Sequence, residues 1–309
     1  MDYFDKEDIT MSDGEPMVDR FEEVFSKYRS KIDVEKVKTV VEWAKREASG
    51  ETDIKILTKL FSCVDLTTLK AVGNDDTVLA LVEKVNSFEE VYSELQPVAS
   101  ICVYPRYASI VSNSLDDDRV KTCCVAGGFP SAQTFPEIKI AEASLALHDG
   151  ADEIDVVQNP GYILNGDYET LSDEINEIKE VCGDKTLKVI IETGALGSAE
   201  NVKRASLIAL YSGADFIKTS TGKEVAGADP ESFCIMCQTI KEYAGETGGI
   251  VGIKAAGGIS DYKKAMVYWY IVKHILGEEW LNNQRFRIGA SSLANNLLSK
   301  IIGKECRHF

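Results

Sequence analysis

The chain has 309 residues, 44% of them hydrophobic, which suffices for a sizeable core in one large domain or two small ones. Its 34 Lys+Arg against 50 Asp+Glu leave a net charge of −16, which repels nucleic-acid phosphates and anionic lipid surfaces and argues against both as partners. No run reaches the roughly 18 apolar residues of a membrane-spanning helix.

Residues 1–20 carry seven acids against Lys6 and Arg20 and few apolar groups, so they cannot bury enough surface to offset their ordering entropy. An acidic mobile tail is expected there. An export signal would be basic and then apolar, so a cytoplasmic protein is expected. Over residues 21–55 a helical extension is expected. Phe21, Val24, Phe25 and Tyr28 recur at helical spacing, and Asp33 can cap a second run in which Val34, Val37, Val40 and Val41 share a face before Gly50 stops it.

From residue 56 to 300 the pattern changes to short apolar runs alternating with amphipathic stretches. The runs are Lys59–Leu66, Val98–Tyr104, Val120–Ala126, Ala151–Val157, Leu187–Glu192, Ala214–Thr219, Ile250–Lys254 and Phe286–Ala290. Helices are expected over Thr77–Phe88, Pro136–His148, Tyr168–Val181, Ala199–Tyr211, Pro230–Tyr243 and Asp261–Leu276, and residues 301–309 read as a C-terminal tail. Eight strand-and-helix units in roughly 250 residues predict an α/β fold, a TIM (β/α)8 barrel. A doubly wound sheet is the competitor, but no G-x-G-x-x-G follows the first strand.

Eight cysteines are too sparse for a disulfide scaffold, and most lie inside apolar runs, so reduced core thiols are expected. Cys234 and Cys237 form a CxxC within a helical segment and lack a second pair at metal-ligand spacing, which predicts packing. None of His148, His274 and His308 sits at a strand end, which argues against Ser-His-Asp or His-metal chemistry.

Strand residues alternate between barrel interior and helix layer. With Asp155 inward, Glu153 is inward too, and the same phase turns Lys188, Glu192, Lys218 and Lys254 inward, with Asp65 from the first strand. Apolar neighbours fall outward in each case. Buried ion pairs do occur without catalysis, but a burial this rich in charge is a costly way to build a core. Lys218 and Lys254 fall on adjacent strands about 4.8 Å apart. Each cation is expected to disfavour protonation of the other, and a neutral lysine attacks carbonyls as a nucleophilic amine. Beyond these strands come Ser220-Thr221-Gly222-Lys223, Ala256-Gly257-Gly258 and Gly289-Ala290-Ser291-Ser292, three consecutive loops of the kind that cradle phosphate.

At these residues the sequence resembles the deoxyribose-phosphate aldolase family, class I aldolases on a TIM barrel. The resemblance is carried by Asp65-Leu66-Thr67-Thr68-Leu69, Ile101-Cys102-Val103-Tyr104-Pro105-Arg106, Gly150 to Val157, Lys188 to Gly194, Asp215 to Lys223, Gly252-Ile253-Lys254 with Gly257-Gly258, and Arg287 to Leu293. It spans residues 60–295, and the extension looks like the longer eukaryotic form. The resemblance implies reversible cleavage of 2-deoxy-D-ribose 5-phosphate to acetaldehyde and D-glyceraldehyde 3-phosphate, in deoxynucleoside catabolism, without metal or organic cofactor. It also implies roles: Lys218 as the Schiff-base lysine, Lys254 as the second lysine and Asp155 in the proton relay. Substrate contacts would come from Asp65, Cys102, Lys188, Thr219, Gly222, Lys223, Gly257, Gly258, Gly289, Ser291 and Ser292. Expected partners are a phosphorylated deoxysugar and acetaldehyde; a homo-oligomer is left open. Two positions depart from the family: Ala255 replaces the usual proline after the second lysine, and Gly127-Gly128 replaces a bulkier loop. Another phosphosugar aldolase or isomerase, or a non-catalytic phosphosugar-binding barrel, shares the scaffold.

Overall fold

The computed structural model describes residues 20–28, 32–224 and 227–309. The acidic segment expected over residues 1–20 lies, but for Arg20, outside the described residues. Three helices precede the first strand: α1 (Arg20–Lys27), α2 (Val34–Gly50) and α3 (Ile54–Phe61). Asp33 caps α2 by accepting the Lys36 N–H at 3.0 Å, and Gly50 ends it. The helix α3 takes up the opening residues of the expected first strand. Leu57, Leu60 and Phe61 form one buried helical face and Asp53 caps the first turn, so the strand begins only at Val64.

The body alternates strands and helices: β1 (Val64–Thr67), α4 (Asp75–Asn86), α5 (Phe88–Val91), β2 (Ser100–Val103), α6 (Ala108–Ser114), β3 (Lys121–Ala126), α7 (Pro136–His148), β4 (Glu153–Val157), α8 (Pro160–Asn165), α9 (Tyr168–Cys182), β5 (Thr186–Ile190), α10 (Ala199–Tyr211), β6 (Phe216–Lys218), α11 (Pro230–Thr247), β7 (Gly252–Ala256), α12 (Tyr262–Ile275), β8 (Phe286–Ala290) and α13 (Leu293–Ile302). The eight strands are parallel and close in sequential order, β8 pairing with β1, which is the TIM barrel. Ile154, Val156, Leu187, Val189, Ile217 and Ile253 face outward into one apolar layer shared with the helices. That layer leaves the alternate residues to the interior, as the phase argument requires. Cys234 and Cys237 lie in the same layer as free, buried thiols.

The extension clads the outer helices. Phe25 meets Tyr168 of α9 edge to face at 5.1 Å, and Trp43 packs on Tyr270 and His274 of α12. The C-terminal residues dock as well, with Phe309 stacked on Phe88 at 5.8 Å. Among the described residues no helix is long and apolar enough to cross a membrane.

Candidate active site

The barrel interior holds a continuous charge network. Register places Asp155 beside Lys188 and Lys218 beside Lys254, so strand pairing alone brings these groups together. Asp155 is fully buried and accepts from three lysines: Lys188 Nζ at 2.9 Å on Oδ1, and Lys218 Nζ and Lys254 Nζ at 2.7 Å each on Oδ2. Lys188 also pairs with Glu153 at 2.6 Å, and Lys254 with Asp65 at 2.5 Å. Below them Arg287 of β8 bridges Asp65 at 2.6 Å and Glu153 at 2.8 Å. Among the described residues, four cations therefore share three carboxylates, and Lys218 alone of the four has a single carboxylate partner.

This arrangement corrects the expected relation between the two lysines. They do not face each other as bare like charges, because the Asp155 carboxylate stands between them. Burial acts to lower the Lys254 pKa, but Asp155 and Asp65 outweigh it and hold the ammonium well above its ordinary value. Lys188 is held above its value in the same way, burial again being overcome, here by Asp155 and Glu153 among its neighbours. Burial alone would raise the carboxyl of Asp155, yet the three lysines pull it well below the usual range. Asp65 moves the same way, its burial outweighed by Lys254 and Arg287.

Gly289 of β8 serves this network by lacking a side chain: a Cβ there would stand 3.1 Å from Lys254 Cε and 3.2 Å from Ala256 Cβ. Ala255, in the proline position of the family, faces the outer layer, and Lys254 is oriented by its two carboxylates instead. On the other flank, Cys102 of β2 and Cys123 of β3 are register partners. Cys123 donates to Asp155 Oδ1 at 3.3 Å, while Lys188 donates to the Cys123 sulfur at 3.4 Å. The neighbouring Cys123 thiol, helped by Lys254, brings the Cys102 thiol below its ordinary pKa against its burial.

Of the network, Lys218 lines a cavity of about 410 Å³ at the C-terminal ends of the strands, within the range of small-molecule sites. The cavity is lined by Thr221, Gly222 and Lys223 after β6, Gly257 and Gly258 after β7, and Gly289, Ser291 and Ser292 at and after β8. Gly222 and Gly257 approach so closely that a Cβ on Gly222 would lie 3.1 Å from Gly257 Cα. Lys223 is tied across the mouth to the Leu69 carbonyl at 2.7 Å.

The predicted site residues thus fall into two groups. Gly222, Lys223, Gly257, Gly258, Gly289, Ser291, Ser292 and Lys218 line one cavity. Asp65, Cys102, Asp155, Lys188 and Lys254 lie buried beneath it, and Thr219 bonds through its hydroxyl to the Ala256 N–H at 3.0 Å, joining β6 to β7. Glu192, expected among the interior charges, sits above them, where it accepts the Thr221 N–H at 3.1 Å. Burial raises its carboxyl pKa against the hydrogen bonds from Thr221. Arg287 and Cys123 belong to the network without having been singled out in the sequence.

The comparisons with known proteins agree with this geometry. The DeoC/LacD family of aldolases matches residues 62–269. A bovine deoxyribose-phosphate aldolase is 38% identical over 271 residues, covering 84% of each chain, and the human one is 37% identical over 268 residues with the same coverage. Among solved structures, the tetrameric deoxyribose phosphate aldolase of Aeropyrum pernix aligns with 25% identity and a TM-score of 0.64 over 84% of this chain and 96% of that one.

Proposed function

The chain belongs to the DeoC/LacD aldolase family, and from that premise we propose that it cleaves 2-deoxy-D-ribose 5-phosphate reversibly to acetaldehyde and D-glyceraldehyde 3-phosphate through a Schiff base on Lys218. One observation carries the assignment of the nucleophile. Lys218 is the member of the buried network that opens onto the cavity, and it is the cation with a single carboxylate contact, an oxygen it shares with Lys254. When Lys218 becomes a neutral amine, each of the three remaining cations still keeps two carboxylate contacts.

The Lys218 amine then adds to the C1 aldehyde of the open-chain sugar, and loss of water leaves the imine. A proton leaves the C3 hydroxyl, the C2–C3 bond breaks, and its electron pair passes to C2 as an enamine while glyceraldehyde 3-phosphate departs. Protonation of C2 and hydrolysis release acetaldehyde and the free lysine. In this reading Asp155, in contact with Lys218 and Lys254 at 2.7 Å, is the relay that takes the proton from the C3 hydroxyl and returns one to C2. The glycine amides and serines of the last three loops are suited to the phosphate. The same reading assigns residues 56–300 to catalysis and 21–55 to the barrel's cladding, and places the enzyme in the cytoplasm, in deoxynucleoside breakdown.

Borohydride reduction in the presence of 2-deoxyribose 5-phosphate or acetaldehyde, followed by peptide mass mapping, tests this. A single adduct on Lys218 is expected; an adduct on Lys188 or Lys254 would reassign the roles.

A further inference from the structure

We propose that Glu192 is a positioning residue for the phosphorylated ligand: its carboxylate holds the Thr221 amide and so sets the turn of residues 221–223 after β6 to present Gly222 to the phosphate. The substrate named here rests on the aldolase reading above; the geometry of the loop does not.

Glu192 follows the end of β5 in the left-handed region, at φ 52° and ψ 55°, which residues other than glycine, asparagine and aspartate seldom adopt. The backbone on either side is stitched to β6, since Ile191 donates to the Lys218 carbonyl at 2.8 Å and Thr193 to the Thr219 carbonyl at 2.9 Å. Between these bonds the conformation cannot relax to an extended one without breaking the sheet's upper edge. The side chain is 3% exposed, its carboxylate takes hydrogen bonds from the Thr221 N–H, on Oε2, and from the Thr221 side chain, and its Oε1 is buried with no partner among the described residues. An acid desolvated for so little hydrogen bonding is a poor structural choice, because an apolar residue would fill the space at lower cost.

The loop shows what that hydrogen bond does. Thr221 spends its amide on Glu192, and Lys223 folds its amide back onto Thr221 Oγ1 at 3.1 Å. The amide of Gly222, between them, has no acceptor among the described residues, and Gly222 lines the cavity opposite Gly257. Anchoring the two flanking amides leaves the middle one for an anion. Without the carboxylate, Thr221 is free to turn its amide elsewhere, and the loop has to be reordered each time the phosphate binds.

The test uses Glu192→Gly and Glu192→Asn, which both accept the left-handed backbone, the first removing the side chain and the second replacing the carboxylate with a shorter amide, and Glu192→Gln, which keeps an oxygen acceptor at full reach. Calorimetric titration with inorganic phosphate is expected to show about tenfold weaker binding in the first two, as for one lost charge-assisted hydrogen bond. KM for 2-deoxyribose 5-phosphate should rise by about the same factor with kcat within about threefold, and turnover of unphosphorylated 2-deoxyribose should hold. Glu192→Gln should restore most of the loss. Unchanged phosphate affinity, equal losses on both sugars, or a glutamine no better than glycine would overturn the proposal. A wild-type protein that neither cleaves the sugar nor traps an imine would instead overturn the aldolase reading, and the phosphate titration would still decide the role of Glu192.

Discussion

Two buried charge clusters in this protein obey different rules. Between α7 and α9, Lys139 places its ammonium on both carboxylate oxygens of Glu174 at 2.7 and 2.8 Å, with the two side chains 1% and 3% exposed. One cation answers one anion, and the pair closes on itself. In the barrel interior four cations share three carboxylates and the network ends at a cavity. The carboxyl groups respond in opposite directions. Burial outweighs Lys139 and raises the pKa of Glu174, whereas the lysines outweigh burial and lower that of Asp155. A balanced pair fastens two helices and has no charge to spare; an unbalanced network keeps one group whose charge can change.

Removing the spare cation should separate the clusters most sharply. Lys218→Ala is expected to cut turnover by about 10⁴-fold or more while the melting temperature stays within a few degrees, because each of the other three cations keeps two carboxylate partners. A protein that unfolds instead would make Lys218 structural, and thermal melts beside the activity assay would show it. The helix pair should behave in reverse. Lys139→Ala strands a buried carboxylate and should cost about 3–5 kcal/mol of stability in denaturant melts, with kcat per folded molecule unchanged, while Lys139→Met with Glu174→Leu should be nearly neutral.

A smaller effect is expected at the cavity. Ser292→Asp sets a negative charge beside the phosphate and should raise KM for the phosphorylated sugar by about 100-fold, with far less change for 2-deoxyribose. Equal change on both sugars would count against phosphate there. The smallest effect is read along the pH axis. Lys254 helps hold the carboxyl of Asp155 down and shares its Oδ2 with Lys218, so in Lys254→Leu that oxygen serves Lys218 alone and the site loses one positive charge. The lower limb of the pH–rate profile should then move upward by roughly 1–3 units. A limb that stays in place would mean that Lys254 acts by position and not by charge.

The barrel and most of its interior were legible because the charged strand residues share one phase and their immediate neighbours are apolar. In β4 to β7 the outward positions are aliphatic, so Glu153, Asp155, Lys188, Lys218 and Lys254 could be turned inward by phase alone. The same rule applied to Phe286-Arg287-Ile288 would have found Arg287, whose neighbours are both buried in the outer layer. Cys123 gave no such sign, since a thiol in an apolar run reads as packing. That Asp155 stands between the two lysines was not legible either. Which inward tips meet depends on strand tilt and on three-way contacts across the lumen, and a sequence read strand by strand holds neither. The first strand starts later than its apolar run because Leu60 and Phe61 are as apolar as a strand, and only the cap at Asp53 and the spacing back to Leu57 mark them as helix.

The strand that supplies each charge has a consequence for the chain as a whole. All three carboxylates come from β1 and β4, and all four cations from β5, β6, β7 and β8. Within this network the first half of the barrel therefore supplies the anions and the second half the cations. Neither half can close on a copy of itself without stacking like charges in a space without water, so the halves are bound to each other as unlike partners. The charge network is the seam along which they neutralise, and it exists only once the last strand has met the first.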